Sequence, residues 1–329
     1  MLQSPAFWKV NSLQAKVLWP LSQIYQMGYR VRRMSIKPIA ITSKILCIGN
    51  LIAGGAGKTP VALDVGQYIK SQGVNACYLS KGYGGTLRTP TLVNPQIHNA
   101  KQTGDEALLL AQVLPTIVAK SRVAGAKFAE KQGFDLIILD DGFQNPTLKP
   151  DISLVVVDSV YRFGNGFTLP AGPLREPVKY GLSRADALVV LRRDRKQGSP
   201  VTDFPIPVIN ADLRTSCPEI TPDKKLIAFT GIARPEQFFE ALVQHCGAHI
   251  VSSFPFADHH PFTKKDMVGL KTEANKHDAT LITTAKDAAR LPEEQRGEVM
   301  VAQATINWHN ADDLKAVLAP LLASEEKQI

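Results

Sequence analysis

Cysteine is scarce in this sequence, and none of the four residues falls in C-x-x-C spacing. Cys47, Cys77, Cys217 and Cys246 are scattered over 329 residues. That scatter excludes a disulfide framework and a cysteine zinc site, and it suits core thiols in a reducing compartment. Uninterrupted apolar runs of membrane-spanning length are missing as well. The first residues lack a basic segment followed by an apolar stretch and a small-residue cleavage site, so no secretory signal is expected. Acidic residues are in deficit: 30 Asp and Glu face 38 Lys and Arg, a formal charge of +8. Such a surplus favours an anionic partner, whether nucleotide, nucleic acid or acidic lipid surface. No nucleic-acid module and no basic–aromatic stripe is present, so no nucleic-acid partner is expected. Internal repeats and low-complexity segments are also absent. The length suffices for two ordinary domains.

What is present begins with Ile45–Thr59, ILCIGNLIAGGAGKT. A short apolar run of buried-strand character leads into glycines and then Gly57-Lys58-Thr59, and an amphipathic helix is expected from Val61 to Ile69. Strand, glycine loop and helix start form a phosphate-binding loop. Its backbone N–H groups converge on an oxyanion, and the helix N-terminus adds partial positive charge. The loop residues Gly54, Gly55, Ala56, Gly57, Lys58 and Thr59 are the expected nucleotide contacts. Lys58 would reach the β- and γ-phosphates, and the Thr59 hydroxyl would ligate Mg²⁺. Ile52 stands where the common pattern has its first glycine.

Further strands are expected at Ala76–Ser80, Thr116–Ala119, Ile152–Asp158, Ala187–Leu191 and Pro207–Ala211. Leu136–Leu139 is another, ending in Asp140 and Asp141. Two acids at a strand end repel each other unless a cation lies between them, so both are candidate Mg²⁺ ligands. Thr103-Gly104-Asp105-Glu106 has the form of a capping box, which leaves Asp105 as either a helix-start acid or a site residue. Arg122 falls in a first helical turn after Ser121, where a positive charge is disfavoured unless an anion is near. Residues around Pro90–Pro95 suggest an inserted hairpin. The long Gly/Pro-rich loop over 162–177 has the length of a functional loop. A charged, proline-bearing junction near Cys217–Lys225 opens a second half that again alternates strands and helices. There Asp258-His259-His260 could serve a metal or supply a base, and Lys286-Asp287 follows a strand.

Val10, Leu13, Val17, Leu21, Ile24 and Gly28 follow helical spacing near the N-terminus, with aromatic residues around them and Arg30, Arg32, Arg33 and Lys37 behind. An interfacial membrane helix and a helix packed on the protein's own core both fit that pattern.

Taken together, Gly49-Asn50-Leu51, Gly54–Pro60, Gly82-Tyr83-Gly84-Gly85, Gly104-Asp105-Glu106, Asp140-Asp141-Gly142-Phe143-Gln144, 162–166, Leu169–Glu176, Asp258-His259 and Lys286-Asp287-Ala288 resemble the tetraacyldisaccharide 4′-kinases of lipid A synthesis. Asn145, Lys81 and Ala285 depart from residues usual in that family. The resemblance implies an ATP- and Mg²⁺-dependent kinase acting as a monomer at the anionic, cytoplasmic face of a Gram-negative inner membrane. Its acceptor would be the 4′-hydroxyl of an acylated glucosamine disaccharide 1-phosphate, and its product lipid IVA. A membrane-recruited P-loop ATPase serving as a switch or scaffold is the alternative.

The resemblance also implies an α/β fold: a P-loop NTPase-type, mostly parallel sheet flanked by helices, a second, smaller α/β domain and an N-terminal membrane-interface helix. The expected divisions are 1–36, 37–215 and 216–329. In the implied site Lys58 and Arg122 would steady the transferring phosphoryl group, and Asp140, Asp141 and Thr59 would hold Mg²⁺. Asp105 and His259 would act as a carboxylate–imidazole pair on the sugar hydroxyl. Glu106, Gln144, Arg175 and Glu176 are further candidates, and His259 is preferred to His260.

Overall fold

The structure is a computed structural model that describes residues 5–193, 204–221 and 223–323. Parts of the expected divisions, 1–4, 194–203, 222 and 324–329, lie outside the described residues. Its strands are β1 (Lys44–Gly49), β2 (Ala76–Ser80), β3 (Thr91–Leu92), β4 (Thr116–Val118), β5 (Leu136–Asp140), β6 (Ile152–Asp158), β7 (Ala187–Arg192), β8 (Val208–Ser216), β9 (Lys225–Thr230), β10 (His249–Pro255), β11 (Thr280–Thr284) and β12 (Met300–Trp308). They form one sheet in the order β10-β9-β11-β12-β8-β7-β6-β1-β5-β2-β4-β3. All pairings are parallel except β3 with β4 and β12 with β8. The helices are α1 (Leu13–Ser35), α2 (Lys58–Ser71), α3 (Ala100–Thr103), α4 (Asp105–Leu110), α5 (Arg122–Lys131), α6 (Val178–Leu182), α7 (Pro235–Cys246), α8 (Lys264–His277), α9 (Ala285–Ala288) and α10 (Ala311–Leu322).

The central strands are apolar on both faces because helices cover both. Leu46 and Ile48 of β1 point into a core shared with Val61, Val65 and Ile69 of α2. Their alternates Ile45 and Cys47 point the other way, onto Ala126 and Ala129 of α5. The four cysteines are free thiols, and burial pushes Cys47 and Cys77 up to about 12, which leaves them unreactive. In the second half Leu226 and Ala228 of β9 face α7, and Ile227 and Phe229 face α8.

Three expectations change. The division 216–329 does not hold as one block. Helix α10 returns to the first half, where Leu314, Leu318 and Leu321 join the core under α2. Strand β12 belongs to both halves: Met300–Ala302 pairs with β11, and Gln303–Trp308 pairs with β8. The segment around Pro90–Pro95 gives a single short edge strand, β3, antiparallel to β4, rather than a hairpin of its own. The capping box lies four residues earlier than its pattern suggested. Asn99 and Gln102 cap α3 reciprocally, while α4 starts from Gly104 without a side-chain cap. Gly104 has φ +86, and a Cβ there would meet the Tyr83 carbonyl oxygen at 2.5 Å. That close approach locks the Gly82–Gly85 loop against the start of α4, and the loop is held further by Lys120 Nζ, which donates to the Gly82 and Gly85 carbonyls.

Candidate active site

The phosphate loop leaves β1 and enters α2. Gly57 caps α2 at φ +86, and a Cβ there would meet Leu191 Cδ1 at 2.6 Å, so the position needs glycine on both grounds. Gly54 and Gly55 are exposed, Ala56 is buried, and Lys58 and Thr59 are half-buried at the helix start. The strand end before the loop is zipped to the 167–176 segment: Ala53 N donates to the Pro173 carbonyl at 2.7 Å and Arg175 N to the Leu51 carbonyl at 2.7 Å. This zipper brings Arg175 and Glu176 to the loop.

Lys58 Nζ lies 3.5 Å from Asp141 Oδ1. Arg175 NH1 donates to both Asp141 oxygens, at 3.1 and 3.2 Å, and to Gln144 Oε1 at 3.1 Å. Gln144 Nε2 in turn donates to the Asn50 carbonyl at 2.7 Å and to Glu176 Oε1 at 3.1 Å. Glu176 is fully buried and is neutralised by Arg184, a partner the sequence did not single out. Burial opposes ionisation of Asp141, but Lys58 and then Arg175 outweigh it and hold the carboxyl below the usual range. Its neighbour behaves oppositely. Burial, followed by the charges of Glu106 and Asp141, pushes Asp140 up to about 7. Ser80 Oγ donates to Asp140 Oδ2 at 3.2 Å, another residue the motifs did not mark.

Arg122 is 6% exposed and does not point freely into the site. Its guanidinium donates to the carbonyls of Leu79 (3.3 Å), Asp140 (2.7 Å) and Asp141 (2.8 Å). The misfit of a cation in a first helical turn is thus answered by carbonyl dipoles at two strand ends.

Asp105 and His259 meet across 154 residues of sequence. His259 Nδ1 is 3.0 Å from Asp105 Oδ2. Lys286 Nζ bridges Glu106 Oε1 (3.0 Å) and His259 Nε2 (3.4 Å), and the Tyr83 ring lies against the imidazole at 5.7 Å between centroids. Burial would raise the Asp105 carboxyl, but the hydrogen bond from His259 and the charge of Lys286 outweigh it and hold it low. His260 turns away: its Nε2 pairs with Asp266 at 3.1 Å, and its ring packs between Phe256 and Phe262. Behind His259 stands Asp287, fully buried, which accepts hydrogen bonds from Thr230, Gly231, Thr284 and Arg290. Asp287→Ala is expected to lower unfolding free energy by about 3–5 kcal/mol, because it breaks a buried ion pair and leaves the donors of Thr230, Gly231 and Thr284 without their acceptor, while Arg290 keeps only Asp105 as a carboxylate partner. Urea denaturation checks this, and an unchanged midpoint would refute it.

Asp140 also decides whether a divalent cation fits. Burial first, and then the charges of Glu106 and Asp141, disfavour the Asp140 carboxylate, so the site gains from a positive ion. Among the described residues no cluster of three or more His, Cys, Asp or Glu is present to cage an ion. Mg²⁺ is commonly held by one or two carboxylates together with substrate phosphates, which matches Asp140, Asp141 and Thr59 beside a phosphate loop.

The family model described as tetraacyldisaccharide-1-P 4′-kinase matches residues 14–323. A tetraacyldisaccharide 4′-kinase of Rhodospirillum centenum is 41% identical over 333 residues, covering 99% of this chain and 98% of the relative. One of Paramagnetospirillum magneticum is 42% identical over 323 residues, covering 97% and 98%. A crystal structure from Aquifex aeolicus, described as LpxK in complex with ATP, superposes with a TM-score of 0.76 at 23% identity, covering 94% of this chain and 99% of that one, and so shares the fold. By its sequence match over nearly its whole length, the chain belongs to the tetraacyldisaccharide-1-P 4′-kinase family.

Proposed function

We propose that this site transfers the γ-phosphate of ATP to the 4′-hydroxyl of an acylated glucosamine disaccharide 1-phosphate, forming lipid IVA. One observation carries the reading: the groups needed for both partners of the reaction form one electrostatic chain. Lys58 touches Asp141, the charge of Glu106 reaches Asp140, Glu106 holds Lys286, and Lys286 reaches the His259–Asp105 pair. Phosphoryl transfer asks for this combination of charge placement and a positioned base.

The residues divide the work. The amides of 54–59 and Lys58 hold the β/γ-phosphates. Asp140, Asp141 and Thr59 would hold Mg²⁺, which would supply charge neutralisation for the transferring phosphate. Arg122 fixes the main chain of both aspartates, so its effect on the transferring charge is exerted through them. Arg175 holds Asp141 ionised and ties it to Gln144. His259 takes the hydroxyl proton while Asp105 orients the ring. Incubating the purified protein with labelled ATP and the lipid disaccharide tests the reading. Label on the lipid supports it; release of free phosphate alone would return it to a membrane-recruited ATPase.

The N-terminal helix delivers the acceptor. In α1 only Ala15 and Ser22 are buried, while Leu13, Val17, Leu21, Ile24, Met27 and Val31 are exposed and recur at helical spacing. No described helix is long and apolar enough to cross a membrane. A helix with an open apolar stripe followed by Arg30, Arg32 and Arg33 suits an anionic lipid surface, and we place the enzyme there as a monomer on the cytoplasmic face of the inner membrane. The inner side of α1 is fastened to the long loop: Ser22 Oγ donates to the Thr168 carbonyl at 2.8 Å, and Gln26 Nε2 to Thr168 Oγ1 at 2.9 Å. Burial, aided by the charge of Glu176 and opposed by that of Arg175, raises the Tyr25 hydroxyl above its ordinary value, so this face lies close to both residues. Deleting residues 7–29 is expected to abolish flotation with anionic vesicles and to impair lipid phosphorylation far more than ATP binding. Equal flotation of the full-length and truncated proteins would refute the assignment.

A further inference from the structure

We propose that Arg290 is a positioning residue for the proton-accepting pair, holding the Asp105 carboxylate and the backbone that carries His259 in one fixed arrangement. The inference rests on the kinase reading above and deepens it.

Arg290 follows α9 in the second half, and its side chain is 6% exposed. Its Nε lies 3.3 Å from Asp105 Oδ2, the same oxygen that faces His259 Nδ1 at 3.0 Å. Its other nitrogens grip the backbone that carries His259. NH2 donates to the Gly231 carbonyl at 3.0 Å, and that carbonyl also accepts from His259 N at 2.9 Å. NH1 donates to the His260 carbonyl at 3.2 Å. Asp287 completes the set by pairing with NH2. One planar fork therefore sets the carboxylate on one half and the loop of the imidazole on the other. His259 needs such support, since its backbone is held at φ +59. A lysine ammonium has too few fixed directions to make these contacts together.

The consequence for the proton is direct. Asp105 is faced by His259, Arg290 and Lys286, with the Glu106 and Asp258 carboxylates beyond Lys286. A carboxylate whose one oxygen is shared between a guanidinium and an imidazole N–H stays ionised and is a poor base. With Nδ1 carrying the hydrogen toward Asp105, the free lone pair is on Nε2. The 4′-hydroxyl oxygen forms its bond to the γ-phosphorus as the bond to the β-bridging oxygen breaks, and the hydroxyl proton passes to Nε2. Asp105 then stabilises the imidazolium. Lys286, which donates to Nε2 in this structure, moves off as the hydroxyl enters.

Arg290→Met and Arg290→Lys, each alone and combined with Asp105→Asn, test this in the full chain. Arg290→Met is expected to lower kcat about 10-fold or more, part of the 10²–10⁴-fold such a pair can supply, with KM for ATP little changed. Removing a cation beside Asp105 favours the protonated pair, so the acidic limb of the pH–rate profile should move to higher pH. Arg290→Lys keeps the charge and should keep the limb in place with a smaller loss of kcat. The Met variant combined with Asp105→Asn should be little worse than Asp105→Asn alone. Multiplicative losses with an unmoved limb would make Arg290 a purely structural residue and overturn the proposal. If Arg290→Met does not fold, the limb and kcat of Arg290→Lys decide. The underlying reading fails separately, if Asp105→Ala and His259→Ala both leave transfer intact.

Discussion

Lys58→Ala is expected to lower turnover by about 10²–10³-fold, the usual cost of removing one preorganised charge from a transition state. The structure says why the fold should survive. Asp141, the acid in ion-pair contact with Lys58, keeps its contacts with Arg175, and buried Asp140, which also feels the Lys58 charge, keeps that of Arg122, so neither carboxyl is left without a cation. Thr59→Ala should act differently, raising the Mg²⁺ concentration needed for half-maximal rate, because its hydroxyl is assigned to the ion. Steady-state rates with labelled ATP at varied Mg²⁺, alongside melting temperatures, separate the two. A Lys58→Ala enzyme with near-normal turnover and an unchanged melting temperature would remove this loop from the ATP site.

Asp105→Ala and His259→Ala are each expected to slow transfer by about 10²–10⁴-fold. Groups that act as one unit are non-additive, so the double variant should be scarcely slower than the worse single one. In His259→Ala the acidic limb of the pH–rate profile should disappear, in Asp105→Ala it should move to lower pH, and in both ATP affinity should change less than the rate. Fully multiplicative losses with the limb intact would show two independent residues. The contact has a stability side too. The Asp105 carboxyl is held below its usual value in the folded chain, chiefly by His259 and Lys286 against the opposing effect of burial. Its contribution is therefore present above the ordinary aspartate range and is lost as pH falls through the depressed folded value. Acid should loosen the contact between α4 and the second half as that point is passed.

How much of this was legible in the sequence depends on the distance over which a residue acts. The strands β1, β5, β6 and β7 are continuous apolar runs, and the phosphate loop is a local motif, so both read directly from the chain. Asp140 and Asp141 were legible because two acids at a strand end are conspicuous. The partners of those residues were not. Arg184, which neutralises Glu176, and Arg290, which reaches Asp105, carry no local pattern, since an arginine on a surface helix looks the same in sequence. Arg122 stands out in sequence as a cation in a first helical turn and suggests a nearby anion, yet its partners are carbonyl dipoles from β2 and β5, which only the assembled sheet brings together. The pattern at Thr103–Glu106 satisfied a capping rule that Asn99 and Gln102 satisfy in space. There the deciding fact was the left-handed φ of Gly104, which the spacing of polar residues does not report. Helix α10 has an obvious apolar face, but amphipathicity states that a face is covered and not by what.

Strand β12 and helix α10 have a practical outcome for anyone dividing this enzyme. The second half is joined to the first by two chain crossings, one leaving β8 and one returning along β12, so in topology it is an insert carried by the kinase unit. A fragment ending near 216 would lack the strand that covers the edge of β8. It would also lack the leucines at 314, 318 and 321, whose removal leaves an open apolar surface beside α2. Such a fragment should aggregate. A shortened chain that keeps 303–323, joined to 216 by a tight turn across the antiparallel β8–β12 pair, retains both. Crystallisation fragments of the first half are therefore better built by excising the middle, which also takes away His259 and hence activity, than by trimming the end.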